Sequence, residues 1–294
     1  MRGRTLLRAI FAVLAIIMAG NAGICQKKNR IKTQHIVLQP PYLQPNTTVQ
    51  ADVELPKRDL KLYDTVSITF IGDVMQHGRQ LQSALKDGQS PNNPLSYDYS
   101  LTFRHIEKKL KEADIAVANM EFPLAIPPYS GYPVFSAPES VAWQANESGI
   151  DLFLLANNHI VDKGKRGLLN TLDTYDQMEG RYIGAYRNPE EEMELNPVLY
   201  NIKGIRVAFI NFTYGTNGFP VPEPCVVNLM DSTRVKETIG RAKMMGADMI
   251  VCAPHWGEEY SLKPSGNQKK WAKMLQREGV NIIIGGHPHV PQAA

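Results

Sequence analysis

Six residues of this 294-residue chain stand just beyond strand-like runs and are of types that hold transition metals: Asp73, Glu121, Asn158, His255, His287 and His289. Carboxylate oxygen, amide oxygen and imidazole nitrogen together suit Zn, Mn or Fe, and six such donors exceed what one tetrahedral ion takes. Two divalent ions sharing a bridging carboxylate would use them economically. Such a pair, about 3.5–4 Å apart, activates water near neutral pH and clamps the attacking and leaving oxygens of an in-line phosphoryl displacement. The reaction class implied is phosphoester hydrolysis. His159, next to Asn158, could reach a leaving-group oxygen as general acid, and Asp162 could orient it.

Each piece alone has a plainer reading. Gly72-Asp73 is an ordinary strand-to-turn joint. Asn157-Asn158-His159 could be a turn whose amides satisfy local backbone groups. His255 beside Trp256 could be a packed core histidine, and His287-Pro288-His289 two loop histidines near a chain end. What argues against coincidence is placement, since each donor stands where a strand-like run stops.

Those runs are Thr65–Ile71, Ala113–Ala118, Ile150–Ala156, Met249–Ala253 and Val280–Ile284. Between them, apolar residues recur at helical spacing: Phe103, Ile106 and Leu110; then Leu168, Leu169, Leu172 and Tyr175; then a segment from Asp231 to Met245; then Trp271, Met274 and Leu275. Ser140 is the expected cap of a short helix that stops at Gly149. Val198–Ile202 and Ile205–Ile210 flank Lys203-Gly204, the strongest hairpin signal in the chain, so an antiparallel pair and a mixed or second sheet are expected. Pro189–Glu194 reads as an acidic surface loop. Strands alternating with amphipathic helices argue for a doubly wound α/β architecture, whose sites form beyond the strands' C-terminal ends. Parallel strands of one sheet would bring all five motifs together.

Composition is that of a globular protein, 43% hydrophobic and 21% charged. Arg2, Arg4 and Arg8 precede an apolar run from Ala9 to Ala19 and then small residues, the pattern of an export signal or N-terminal anchor over residues 1–25. Cleavage after Ala22 is expected, and Cys25 offers a lipid anchor in a partial lipobox. The protein is therefore expected outside the cytoplasm, in the periplasm, on the outer surface or anchored to the membrane. Loss of three arginines turns the formal +3 into 3 − 3 = 0, which gives no general attraction to nucleic acid. Residues 26–64, rich in proline, read as a spacer, and 65–294 as the folded domain. Cys252, in an apolar run, reads as a buried thiol.

The ordered motifs Gly72-Asp73-Val74-Met75, Asn119-Met120-Glu121, Ala156-Asn157-Asn158-His159 with Asp162 and Gly164, His255-Trp256-Gly257-x-Glu259-Tyr260 and Gly286-His287-Pro288-His289-Val290 resemble the CapA poly-γ-glutamate capsule biosynthesis family, a branch of the calcineurin-like metallophosphoesterases. The resemblance covers about Val66 to Val290. It implies a four-layer α/β/β/α sandwich and a metal-dependent phosphoesterase-like site. Carried over by position, Asp73, His287 and His289 serve the first metal, Glu121 bridges, Asn158 and His255 serve the second, and His159 with Asp162 is catalytic. Asn119, Asn157 and Glu259, within the same motifs, are assigned to the substrate. Polymer synthetase and export proteins at the membrane are the implied partners, with an anionic polymer or a phosphoester as ligand. Two departures from the general phosphoesterase pattern stand out: no histidine lies two residues after Asp73, and Asn119-x-Glu121 replaces paired aspartates. The chain also stops four residues after Val290, where family members continue, so a sheet lacking its C-terminal strands is expected.

Overall fold

The computed structural model describes residues 65–178 and 180–293. The expected export signal, the Cys25 lipid anchor and the spacer lie outside the described residues. Four strands, β1 (Ile68–Val74), β2 (Ile115–Met120), β3 (Leu152–Leu154) and β4 (Arg181–Ile183), form an all-parallel sheet in that order. A second sheet has the order β10 (Ile282–Ile283), β9 (Met249–His255), β7 (Ile205–Thr213), β6 (Val198–Ile202), with β6 antiparallel to β7. β5 (Ala185–Tyr186) and β8 (Val226–Val227) make a small antiparallel pair.

Side-chain alternation explains how these sheets stack. On β2, Ile115 and Val117 enter one apolar cluster with Leu152, Leu154 and Ile183 and with Val198, Tyr200, Val207, Phe209 and Val251 of the other sheet. The intervening Ala116, Ala118 and Met120 join a second cluster against Leu110, Val141, Leu168, Leu172 and Tyr175. Those residues come from α2 (Glu107–Glu112), α3 (Ser140–Glu147) and α4 (Gly164–Asp176), and α1 (Gly78–Ala84) adds Leu81 and Ala84. On β7 the same period of two sends Ala208, Ile210 and Phe212 to Val235, Ile239 and Leu275 of α6 (Ser232–Met244) and α7 (Gly266–Arg277). The layers are thus α/β/β/α. Strands buried on both faces read as continuous apolar runs, which is why they stand out in the sequence.

Several local expectations change. β1 does not stop before Gly72: that glycine, at φ +74°, marks an irregularity in register between Phe70 and Asp73, and the strand resumes through Val74. A bulge there re-aims Asp73 without ending the pairing. Ser140 is the first helical residue rather than the cap, and its hydroxyl makes no capping bond. The acidic stretch after Asn188 is a helix, α5 (Pro189–Leu195), capped by the Asn188 side chain, with proline at its start and three glutamates in its first turn. That is a helix-start signature, and Glu192 is buried there, accepting from Arg241 and Asn196 at 2.5 and 2.7 Å. The Lys203-Gly204 hairpin forms, with both residues at positive φ. Cys225 and Cys252 are free and buried. Among the described residues no helix is long and apolar enough to cross a membrane.

Phe209 lies in the apolar layer between the sheets. It is 1% exposed and meets Tyr200 edge to face at 5.8 Å. Phe209→Ala should cost about 3–5 kcal/mol in urea unfolding, whereas Leu101→Ala, at a residue 66% exposed, should stay within about 0.5 kcal/mol.

Candidate metal centre

The five motifs meet, but from two sheets rather than one. β1, β2 and β3 deliver Asp73, Glu121 and Asn158-His159; β9 ends at His255, and the segment after β10 carries His287 and His289. Both sheets present their strand ends at the same edge, and Asp73 joins them. Its Oδ1 accepts from Asn119 Nδ2 at 2.8 Å on the first sheet, while its Oδ2 accepts from the His287 backbone N–H at 2.9 Å and lies 3.1 Å from His289 Nδ1 on the second. Gly286 makes this approach possible, because a Cβ there would stand 2.7 Å from Asp73 Oδ1. His287 and His289 are both held at positive φ, 91° and 54°. Such conformations cost roughly 1–3 kcal/mol each and persist only where the surroundings enforce them; here Asp73 does.

Donor atoms cluster in two groups around one carboxylate. Asp73, Glu121 and His289 form one, Glu121, His255 and His287 the other, with donors inside each group within 4.8 Å of one another. Glu121 belongs to both, the position a bridging ligand needs. His287 shares a donor group with His255 and not with Asp73: the Asp73 carboxylate accepts from the His287 backbone, and the imidazole lies 4.9 Å from the ring of His255. Asn158 Oδ1 lies 2.7 Å from His255 Nε2, beside the second group. Glu259, assigned to substrate by sequence, is exposed at the mouth and forms a third donor group with His287 and His289.

The residues present fit a metal. Glu121 is fully buried, its Oε1 has no hydrogen-bond partner, and His255 Nε2 and His289 Nε2 stand 3.4 and 3.8 Å from it. Burial first, and then the neighbouring Asp73 carboxylate, push its pKa up to about 8. Burial holds His255 and His287 down at about 4, so both imidazoles are neutral and keep a lone pair. The His287 Nδ1 is buried without a partner. Burial also raises Asp73, but hydrogen bonds from His289, Asn119 and the His287 backbone, with the charge of His255, hold it well below the usual carboxylate range. A buried carboxyl that a cation would relieve of its proton, an ionised carboxylate and lone-pair imidazoles are what a divalent cation takes.

His159 lies beside this cluster. Its Nδ1 is 2.7 Å from Asp162 Oδ2, which also accepts from the Phe135 N–H at 2.7 Å, and Phe135 meets the imidazole edge to face at 4.6 Å. The proline-rich segment after Glu121 therefore clamps this pair. Asn119 and Asn157, assigned to substrate by sequence, lie beneath the cluster. Both are buried, and their amides are committed internally: Asn157 donates to Asn119 Oδ1 at 3.2 Å and to the Met120 carbonyl at 2.9 Å, and accepts from the His159 N–H at 3.1 Å. Sequence reading missed Tyr214 and Asn217. Tyr214 places its ring 4.7 Å from His287, and Asn217 accepts from Asn158 Nδ2 at 3.2 Å. The usable signal was Asn217-Gly218 just beyond a strand that runs three residues further, to Thr213, than its apolar run suggests.

These observations define the class: a four-layer α/β/β/α protein whose two sheets converge on a carboxylate–imidazole centre suited to metal. The chain belongs to the family described as Bacterial capsule synthesis protein PGA_cap, whose model matches residues 67–294. It is 31% identical over 241 residues to the capsule biosynthesis protein CapA of Bacillus anthracis, covering 78% of this chain and 56% of that protein. It is 26% identical over 249 residues to the PGA biosynthesis protein CapA of Bacillus subtilis (strain 168), covering 81% and 61%. The chain thus spans a little over half the length of these relatives. The NAD nucleotidase of Haemophilus influenzae is similar with a TM-score of 0.45 at 15% identity, over 65% of this chain and 32% of that one; a likeness so distant carries no inference about activity.

The titrations give a signed expectation for the metal-free protein. Glu121, raised from 4.5 to about 8, stabilises the fold fully below 4.5 and loses that contribution as pH rises through 8. His289, raised by its hydrogen bond to Asp73, acts with the same sign above 6.5. His255 and His287, lowered from 6.5 to about 4, act oppositely, and only as pH falls below 6.5. Melting temperature without metal should therefore decline between pH 6.5 and 8. Glu121→Gln should reduce that decline, and saturating Mn²⁺ should raise the wild-type melting temperature most at the alkaline end. A metal-free profile that rises over this window would contradict the assignment.

Proposed function

We propose that this chain is an exported capsule-biosynthesis protein of the poly-γ-glutamate type that carries a metal-dependent, phosphoesterase-like centre for two divalent ions of the Mn, Zn or Fe kind. The observation that supports it most is the sharing of the buried Glu121 by two donor groups. Asp73 and His289 would hold one ion with Glu121, and His255, His287 and Asn158 the other. When bound, such ions supply Lewis acidity toward a phosphoryl group and activation of water. The chain's own residues do the rest. Asp162 would accept a hydrogen bond from His159 Nδ1–H and orient the ring, and with His159 as imidazolium its Nε2–H would donate the proton that a leaving oxygen takes, leaving a neutral imidazole. Glu259, at the mouth, is free to close over a substrate. Family membership supports the further reading that membrane proteins of the polymer synthetase and export type are partners and that an anionic polymer or envelope phosphoester is the ligand.

Metal content comes first: purified protein supplemented with Mn²⁺ or Zn²⁺ should retain metal after desalting, and retention of none would sink the catalytic reading. With metal retained, His159→Ala should lower hydrolysis of bis-p-nitrophenyl phosphate by about 10²–10⁴-fold at unchanged metal content. Should polymer formation in cells survive that substitution intact, the role in capsule assembly does not require catalysis by this centre.

A further inference from the structure

An asparagine can hold a cation only through its oxygen, and nothing in the residue itself decides which end of the amide faces the metal. In this site the decision can be traced through groups that play only one role. The Met120 carbonyl can only accept and the His159 backbone N–H can only donate, so the Asn157 amide is fixed. Asn157 donates to Asn119 Oδ1, and the Asp73 carboxylate accepts from Asn119 Nδ2, so Asn119 is fixed as well. His255 Nε2 faces Asn158 Oδ1 at 2.7 Å, which puts that oxygen at the edge of the donor cluster. The Nδ2 of Asn158 then needs an acceptor on its far side. Asn217 Oδ1 supplies it at 3.2 Å.

Asn217 is built to do this. It sits at φ +51°, a conformation that asparagine tolerates and most residues do not. Tyr214 Oη donates to the same Oδ1 at 3.3 Å, which turns the acceptor toward Asn158, and Asn217 Nδ2 lies 3.4 and 3.5 Å from the two ring nitrogens of His159. The loop is tied down locally: Thr216 Oγ1 donates to the Phe219 carbonyl at 2.6 Å, and the Tyr214 N–H donates to the His255 carbonyl at 3.0 Å. We propose that Asn217 is a positioning residue that holds the Asn158 amide with its oxygen toward the second metal position. This rests on the reading that Asn158 is a ligand there. Neighbours that orient a ligand are typically worth about 10–100-fold in metal affinity.

The test compares Mn²⁺ binding by calorimetric titration of the full chain, with metal-free melting temperature recorded alongside. Asn217→Gly removes the acceptor yet suits the positive φ, so the fold should hold; Asn217→Asp keeps an acceptor. Asn217→Gly should weaken one of the two binding events by about 10–100-fold, and Asn217→Asp should restore it to within a few-fold of wild type. In an Asn158→Asp background, where both ends of the group are oxygen, Asn217→Gly should have no further effect. Equal Mn²⁺ affinity in wild type and Asn217→Gly overturns the proposal while leaving the metal centre standing. So does a full additional loss in the Asn158→Asp background. Absence of Mn²⁺ binding by wild type overturns both readings together.

Discussion

The carboxylate of Asp73 is the point on which this structure turns. Two sheets that pack through Val117, Leu154, Val207, Phe209 and Val251 are held face to face by apolar contact, which sets their separation but not their sliding register. Asp73 adds a directional restraint at one edge, with one oxygen bonded to the first sheet through Asn119 and the other to the second through His287 and His289. Hydrogen bonds to an ionised acceptor are stronger and shorter than neutral ones, and the depressed pKa of Asp73 keeps it ionised. The tip that carries the histidines therefore takes its geometry from a residue more than two hundred positions earlier.

That arrangement has a cost, which falls on Glu121. Buried away from solvent and set beside the ionised Asp73, a second carboxylate in the same pocket is driven to hold its proton. The replacement of paired aspartates by Asn119-x-Glu121 is intelligible in these terms. An aspartate at 119 would place a third buried anion between Asp73 and Glu121, whereas the Asn119 amide donates toward both, at 2.8 and 3.4 Å. The site is left with two buried carboxylates and three imidazoles, two of them neutral, a charge balance that suits divalent cations without demanding further basic residues.

The fold was legible in the sequence where both faces of a strand are buried, because continuous apolar runs such as Ile115–Val117 and Ile250–Ala253 have no competing explanation. The hairpin at Lys203-Gly204 was legible for a similar reason, since its turn chemistry is local. What could not be read was which sheet each strand enters. Periodicity reports burial, and a strand covered by a helix looks like a strand covered by another sheet, so the motifs were expected on one sheet and stand on two. The acidic stretch Glu190-Glu191-Glu192 was misread because charge suggested solvent, while the Asn188-Pro189 start signal pointed to a helix and Arg241 neutralises the buried Glu192.

Residue type identified the metal donors well and the supporting amides poorly, and the difference is physical. A histidine or carboxylate at a strand end is unusual enough to announce chemistry. An asparagine is equally at home satisfying a turn, donating to a carboxylate or binding a cation, and only its partners distinguish these uses. Asn119, Asn157, Asn158 and Asn217 have four different partner sets within one connected network. Asn119 and Asn157 turn their oxygens to the Asn157 amide and the His159 N–H, while Asn158 turns its oxygen toward His255 Nε2 at the donor cluster and its nitrogen to Asn217 behind. Function at such a site resides in the direction of each amide, a property that a sequence names only through the neighbours folding brings to it.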